Sequence, residues 1–144
     1  MKFFNIVTTH KQTYIDDLIK NMSSSETDHI INLYRKISMV EYTNESGHEC
    51  MYALLDKHLI EKLDQLYKKY AIKFEVIDIT KDVIFDNFVK IKYKDCNNRE
   101  VQNEIIQLIK EFKSNWVTKD DILDKILEKG IDSLTDFDLN VLDS

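Results

Sequence analysis

The sequence predicts an α+β fold, and three observations carry that expectation. Short runs rich in β-formers alternate with segments whose apolar residues recur at helical spacing. With 43% hydrophobic and 32% charged residues over 144 positions, the chain has the balance of a globular protein and the length of one domain, or of one domain with a helical appendage. It has no proline and only two glycines, so Gly47 and Gly130 are strong punctuation marks.

The run "KFFNIVTT" (residues 2–9) reads as a first strand. Residues 13–22 follow as an amphipathic helix, with Tyr14, Ile15, Leu18, Ile19 and Met22 on one stripe. Ser25-x-x-Asp28 resembles a capping box that opens a second helical piece carrying Ile30, Ile31 and Tyr34. "ISMVEYT" (37–43) and "HECMYALL" (48–55) read as a strand pair, with Gly47 suited to the positive φ of a short hairpin loop. Helical period returns over 57–70 through Ile60, Leu63, Leu66, Tyr67 and Tyr70, and 71–80 alternates as a fourth strand.

This order, β-α-β-β-α-β, is the ferredoxin-like arrangement, and it sets a domain at residues 1–80 with a helical extension at 81–144. Within the extension, residues 83–93 suit either a short helix or an extra strand. Residues 99–113 form a helix through Val101, Ile105, Leu108, Ile109 and Phe112, and Trp116 falls in the connection after it. Thr118-x-x-Asp121 caps a helix with Ile122, Leu123, Ile126 and Leu127, the first arm of a hairpin over 118–142. Strand parity puts Val40 and Tyr42 opposite Ile37 and Met39, so both sheet faces are partly apolar. The helices after residue 98 are expected to cover the face that the first helices leave open.

A net charge of −6 with interspersed signs disfavours nucleic acid. No stretch approaches the length of a membrane span, and the N-terminal run is too short for a signal peptide, so a cytoplasmic location with reduced Cys50 and Cys96 is expected. Phosphate-binding loops and nucleophile elbows need more glycines than this chain has, and HExxH is missing. His48 and Cys50 could form half of a zinc site, completed by His58, Cys96 or His10, none at motif spacing. The plainer reading makes His48 a turn residue and Cys50 a small buried hydrophobe. His58 beside Asp56 has the makings of an oriented base, His10 and His29 less so, and Cys96 lies between Lys94 and Arg99. The local clusters Asp16–Asp17, Asp120–Asp121 and Asp132, Asp136, Asp138 and Asp143 could hold a divalent cation, but Asp120, Asp121, Asp132 and Asp136 fall near helix starts, where negative charge is favoured anyway. The balance of these readings is a chain without cofactor or metal.

"EKGIDSLTDFDL" (128–139) resembles the prosthetic-group motif of acyl and peptidyl carrier proteins, which implies a phosphopantetheine arm on Ser133. A carrier domain would need a further helix after that serine, and eleven residues follow it. Residues 120–142 are also similar to a short helix–turn–helix tail carried by otherwise unrelated bacterial proteins. That tail is written as an ILxKI helix, then KGIxSL(T), then an acidic-apolar helix, and it implies a compact docking appendage. In this reading Gly130 is a left-handed cap, Ile131 folds back on Ile126 or Leu127, and Ser133 or Thr135 opens a last helix through Leu134, Phe137, Leu139 and Leu142. The functional expectation is a non-enzymatic interaction protein, regulatory or toxin-neutralising, engaging a protein partner or a second copy through Trp116, Leu134, Phe137 and Leu142. The alternatives are a small metal-dependent enzyme and a carrier modified at Ser133.

Overall fold

The computed structural model describes residues 1–87 and 98–144. Its four strands are β1 (Lys2–Lys11), β2 (Ser38–Thr43), β3 (His48–Leu55) and β4 (Phe74–Asp78). Its helices are α1 (Gln12–Lys20), α2 (Ser24–Tyr34), α3 (Lys57–Lys69), α4 (Thr80–Ile84), α5 (Arg99–Trp116), α6 (Lys119–Lys129) and α7 (Asp136–Asp143). The strands form one antiparallel sheet in the order β2-β3-β1-β4, so the fold is α+β. Cys96 and the last part of segment 83–93 lie outside the described residues; Val83 and Ile84 belong to α4.

The side-chain period of two divides the sheet into two apolar faces. Phe3, Val40, Tyr52 and Leu54 point to one, with Tyr42 packed beside them, and Phe4, Ile6, Met51, Ala53 and Leu55 point to the other. α2 and α3 cover the second face through Leu33, Leu59, Leu63, Leu66 and Tyr67. α4 and α5 cover the first face, so the helix after residue 98 does close the open side. α5 buries Ile105, Leu108, Ile109 and Phe112, a stripe at i, i+3, i+4 and i+7, and Phe112 meets Phe3 edge-on with ring centroids 5.7 Å apart. Each of these side chains contributes about 1.5–3 kcal/mol by leaving water, before the entropy of ordering is set against it. β3 is therefore covered on both sides, and its last six residues are all buried.

Several boundaries differ from the sequence reading, each for a local reason. α2 is capped by Ser23, not Ser25: Ser23 Oγ accepts from Glu26 N at 3.2 Å and donates to the Glu26 carboxylate at 3.0 Å. Of the three consecutive serines, the first has the glutamate at N3 that the box favours. β4 begins at Phe74 because residues 70–72 close α3. Ile72 N donates to Tyr67 O at 2.9 Å and Ala71 N to Lys68 O at 3.1 Å, a Schellman motif whose left-handed position is Ala71 at φ +53°. Trp116 is the last residue of α5 and not part of the connection. Gly130 has the anticipated positive φ, but its φ and ψ of 84° and 163° lie outside the left-handed helical region. The turn therefore opens outward, and Ile131 is 69% exposed instead of folding back on α6.

Candidate functional site

α6 and α7 form the hairpin that carries the tail motif, and both start as their sequences dictate. Thr118 and Thr135 each accept from the amide three residues on, while Asp121 and Asp138 reach back to the cap amides at 2.8 Å. Between the helices lies a single 3-10 turn, Ile131–Ser133, in which Ser133 Oγ donates to Gly130 O at 2.7 Å. Ser133 thus works as a turn residue, and the last helix is opened by Thr135.

The inner face of α6 reads Ile122, Lys125, Ile126, Lys129, at i, i+3, i+4 and i+7. Ile122 is buried, and Lys125, 1% exposed, is directed inward with it. Its Nζ donates to Asp138 Oδ2 and to Asp86 Oδ2, both at 2.6 Å. Asp86 also pairs through Oδ1 with Lys113 of α5, and Lys113 lies over the Phe137 ring. Lys129 Nζ donates to Phe85 O at 2.7 Å. The result is an alternating chain of charge, Lys113–Asp86–Lys125–Asp138, which ties α5, the end of α4, α6 and α7 together.

Asp86 reaches two lysines because of its backbone. Asn87 N donates to Asp82 O at 2.8 Å and Asp86 N to Val83 O at 3.3 Å, a second Schellman motif with Asp86 at φ +56°. A non-glycine residue there costs on the order of 1 kcal/mol, and the ion pairs offset it. Burial alone would push the Asp138 carboxyl up, but the Lys125 ammonium and Thr135 outweigh it and hold the group below its usual range. Burial likewise opposes the charge on Lys125, and Asp138 and Asp86 together raise it above the usual lysine value. Asp138 Oδ1 is buried with no hydrogen-bond partner among the described residues. All four charges are engaged with one another, so the cluster joins elements and offers no nucleophile.

With the inner face occupied by this clasp, the remaining apolar residues of α6 face water. Leu123 is 50% exposed and Leu127, one turn on, 85%; Ile131, in the turn after α6, is 69% exposed, and half-exposed Leu139 lies on α7. Eight acidic residues against three lysines give residues 118–144 a net charge of −5, most of the chain's −6. Of the candidates named from the sequence, Trp116 is exposed at the end of α5, whereas Leu134, Phe137 and Leu142 are half-buried in the hairpin. The sequence signal for the clasp was a lysine three residues after Ile122, on the face that should have been apolar.

The polar candidates are dispersed. Cys50 is buried with Sγ toward His48 O at 3.5 Å, and burial pushes its thiol up, which is unfavourable for a nucleophile. Asp56 Oδ1 accepts from Leu59 N at 2.8 Å as the cap of α3, so it does not orient the exposed His58. His10 Nε2 accepts from Lys73 N at 3.1 Å and its ring stacks on Tyr14. His29 is an exposed residue of α2. Among the described residues no group of three or more His, Cys, Asp and Glu side chains is placed to hold a metal ion. Nor is any described helix long and apolar enough to cross a membrane. No protein-family model matches this chain, and no curated protein or solved structure matches it.

Proposed function

We propose that this chain is a non-enzymatic, cytoplasmic interaction module, regulatory or toxin-neutralising in kind, that docks a protein partner through its C-terminal hairpin. The observation that carries the reading is the outward pair Leu123 and Leu127, followed by exposed Ile131, on a hairpin with net charge −5. Contiguous exposed apolar side chains rimmed by one sign of charge are a surface that a complementary partner buries. The partner is a protein with an apolar groove edged by lysine and arginine. A second copy meeting through the same face would set acidic rim against acidic rim, which disfavours a homodimer there.

The clasp supports the same reading, because it ties α6 to α7 and to the end of α4, and through Asp86 to α5, and so presents these residues with little ordering cost on binding. The rest of the chain is a scaffold, whose β-α-β-β-α-β order and sheet sequence we read as ferredoxin-like. The likeness of residues 120–142 to appended helix–turn–helix tails also favours docking over chemistry. The test is affinity capture from native lysate with the wild-type chain, Leu127→Asp, and the pair Asp124→Lys/Asp132→Lys. The expected result is a stoichiometric partner, released by salt and lost from both variants. A monomeric chain that retains nothing, or a partner retained equally by all three, overturns the proposal.

A further inference from the structure

Among the described residues the sheet has two open edges, β2 at one end and β4 at the other. The ladders fix which backbone groups each edge presents. Thr9 N donates to Lys73 O and Ile79 N to Phe3 O, both at 3.0 Å, in the register that pairs Phe4 with Asp78. In an antiparallel ladder, residues turned toward a neighbour alternate with residues turned away. Phe74, Val76 and Asp78 therefore direct their N–H and C=O outward from β4. On β2, Asn44 N donates to His48 O at 3.0 Å, and the same alternation leaves Met39, Glu41 and Thr43 directed outward. Each edge is thus a template for one more strand.

The two edges differ in the residue at their centre. A second copy added antiparallel about a two-fold axis pairs all the outward residues only when the middle one meets itself. On β2 that register sets Glu41 against Glu41, and like charges directly opposite are destabilising. On β4 it sets Val76 against Val76, Phe74 against Asp78 and Glu75 against Ile77, so no like charges stand opposite. Moving the β4 register by two residues either way leaves outward groups unpaired, and in one direction it brings Glu75 against Glu75. Val76 and Ile77 are each 37% exposed, one on either face of the sheet, and Glu75 through Asp78 are all exposed. Neither helical layer overhangs this edge, and pairing would cover both apolar side chains.

We infer that β4 is the interface of a homodimer, in which two copies pair antiparallel about Val76 and join their four-stranded sheets into one continuous sheet. Phe74, Val76 and Asp78 of each copy donate and accept across the axis, so every outward backbone group of the strand gains a partner. A contact between two short strands is small for a protein interface, so the dimer is reversible. The edge is separate from the exposed leucines of the hairpin, and the inference stands independently of the docking proposal.

Sedimentation equilibrium of the full chain should show a monomer of 17.1 kDa passing reversibly to a dimer as concentration rises. Val76→Pro removes an outward N–H and leaves the bonds to β1 in place, so it should weaken the dimer at least tenfold while the circular dichroism stays native. Glu41→Pro makes the same change on the β2 edge and should leave the dimer as it is, as should Leu127→Asp in the hairpin. Cysteine pairs test the register without proline. In a Cys96→Ser background, Val76→Cys brings two thiols to the axis with Cα atoms about 5.5 Å apart, within disulfide reach. Ile77→Cys, equally exposed, stands opposite Glu75 and beyond that reach. Mild oxidation should link Val76→Cys at least tenfold faster than Ile77→Cys. A wild-type chain that stays monomeric up to about 1 mM overturns the inference. So does a dimer that survives in natively folded Val76→Pro, one that Glu41→Pro or Leu127→Asp abolishes, or equal linking of the two cysteine variants.

Discussion

Replacing Lys125 by methionine tests how the hairpin is held. At an effective dielectric of about 20, each 2.6 Å contact from Nζ to a carboxylate is worth about 6 kcal/mol of Coulomb attraction. Desolvating a lysine that is 1% exposed, together with Asp138 at 1%, takes back several kcal/mol per ion. The net worth of the pair is therefore small, but the cost of removing one partner is not. Lys125→Met leaves Asp138 a buried carboxylate without its cation, while Asp86 still has Lys113. The expected loss is about 3–5 kcal/mol. Asp138→Asn removes the charge but keeps an oxygen for the Thr135 amide, so the double variant Lys125→Met/Asp138→Asn should fall about 1–3 kcal/mol short of the sum of the singles. Urea unfolding followed by far-ultraviolet circular dichroism gives the free energies, and hydrogen exchange over α6 and α7 separates local opening from global unfolding. A loss under about 1 kcal/mol in Lys125→Met, or additivity within about 0.5 kcal/mol, would refute the clasp.

Further outcomes follow from the same geometry. Asp138 is held below 3.8 and Lys125 above 10.5. The carboxyl's contribution is complete above pH 3.8 and is lost as pH falls through its folded-state value; the ammonium's is complete below pH 10.5 and is lost as pH rises through its own. Emission from Trp116, the sole tryptophan and the last residue of α5, should be flat between those limits and change outside them, and a transition near neutrality contradicts this. Ala71→Gly relieves a left-handed residue and should stabilise the fold by up to about 1 kcal/mol in urea unfolding. Gly130→Ala meets no atom within 4 Å of its new Cβ, so its loss, about 1–3 kcal/mol by thermal unfolding, is backbone strain alone. Leu63→Ala, on the buried face of α3, should cost about 2–5 kcal/mol in the same assay.

The strands, the α5 stripe and the first cap of the hairpin were legible because each depends on residues within one helical turn or on simple alternation, while the second cap was narrowed only to Ser133 or Thr135. Ile105, Leu108, Ile109 and Phe112 specify a face without reference to anything distant, and so does the capping box at Thr118. What was not legible depends on contacts across the chain. The ends of α3 and α4 rest on Ala71 and Asp86 in left-handed conformations, where the sequence offers no glycine to mark them. The inward face of α6 is chosen by Asp86, 39 residues away, which draws Lys125 inside and turns Leu123 and Leu127 out. A periodicity reading groups all four apolar residues of that helix into one stripe and cannot see the division.

Hydrogen exchange on the full chain, alone and saturated with the captured partner, tests the docking account most directly. The account predicts added protection over residues 119–133, where Leu123, Leu127 and Ile131 and their acidic rim lie, and little change in α1 or β4. Protection confined to α1 or β4, with residues 119–133 exchanging as in the free chain, would contradict it.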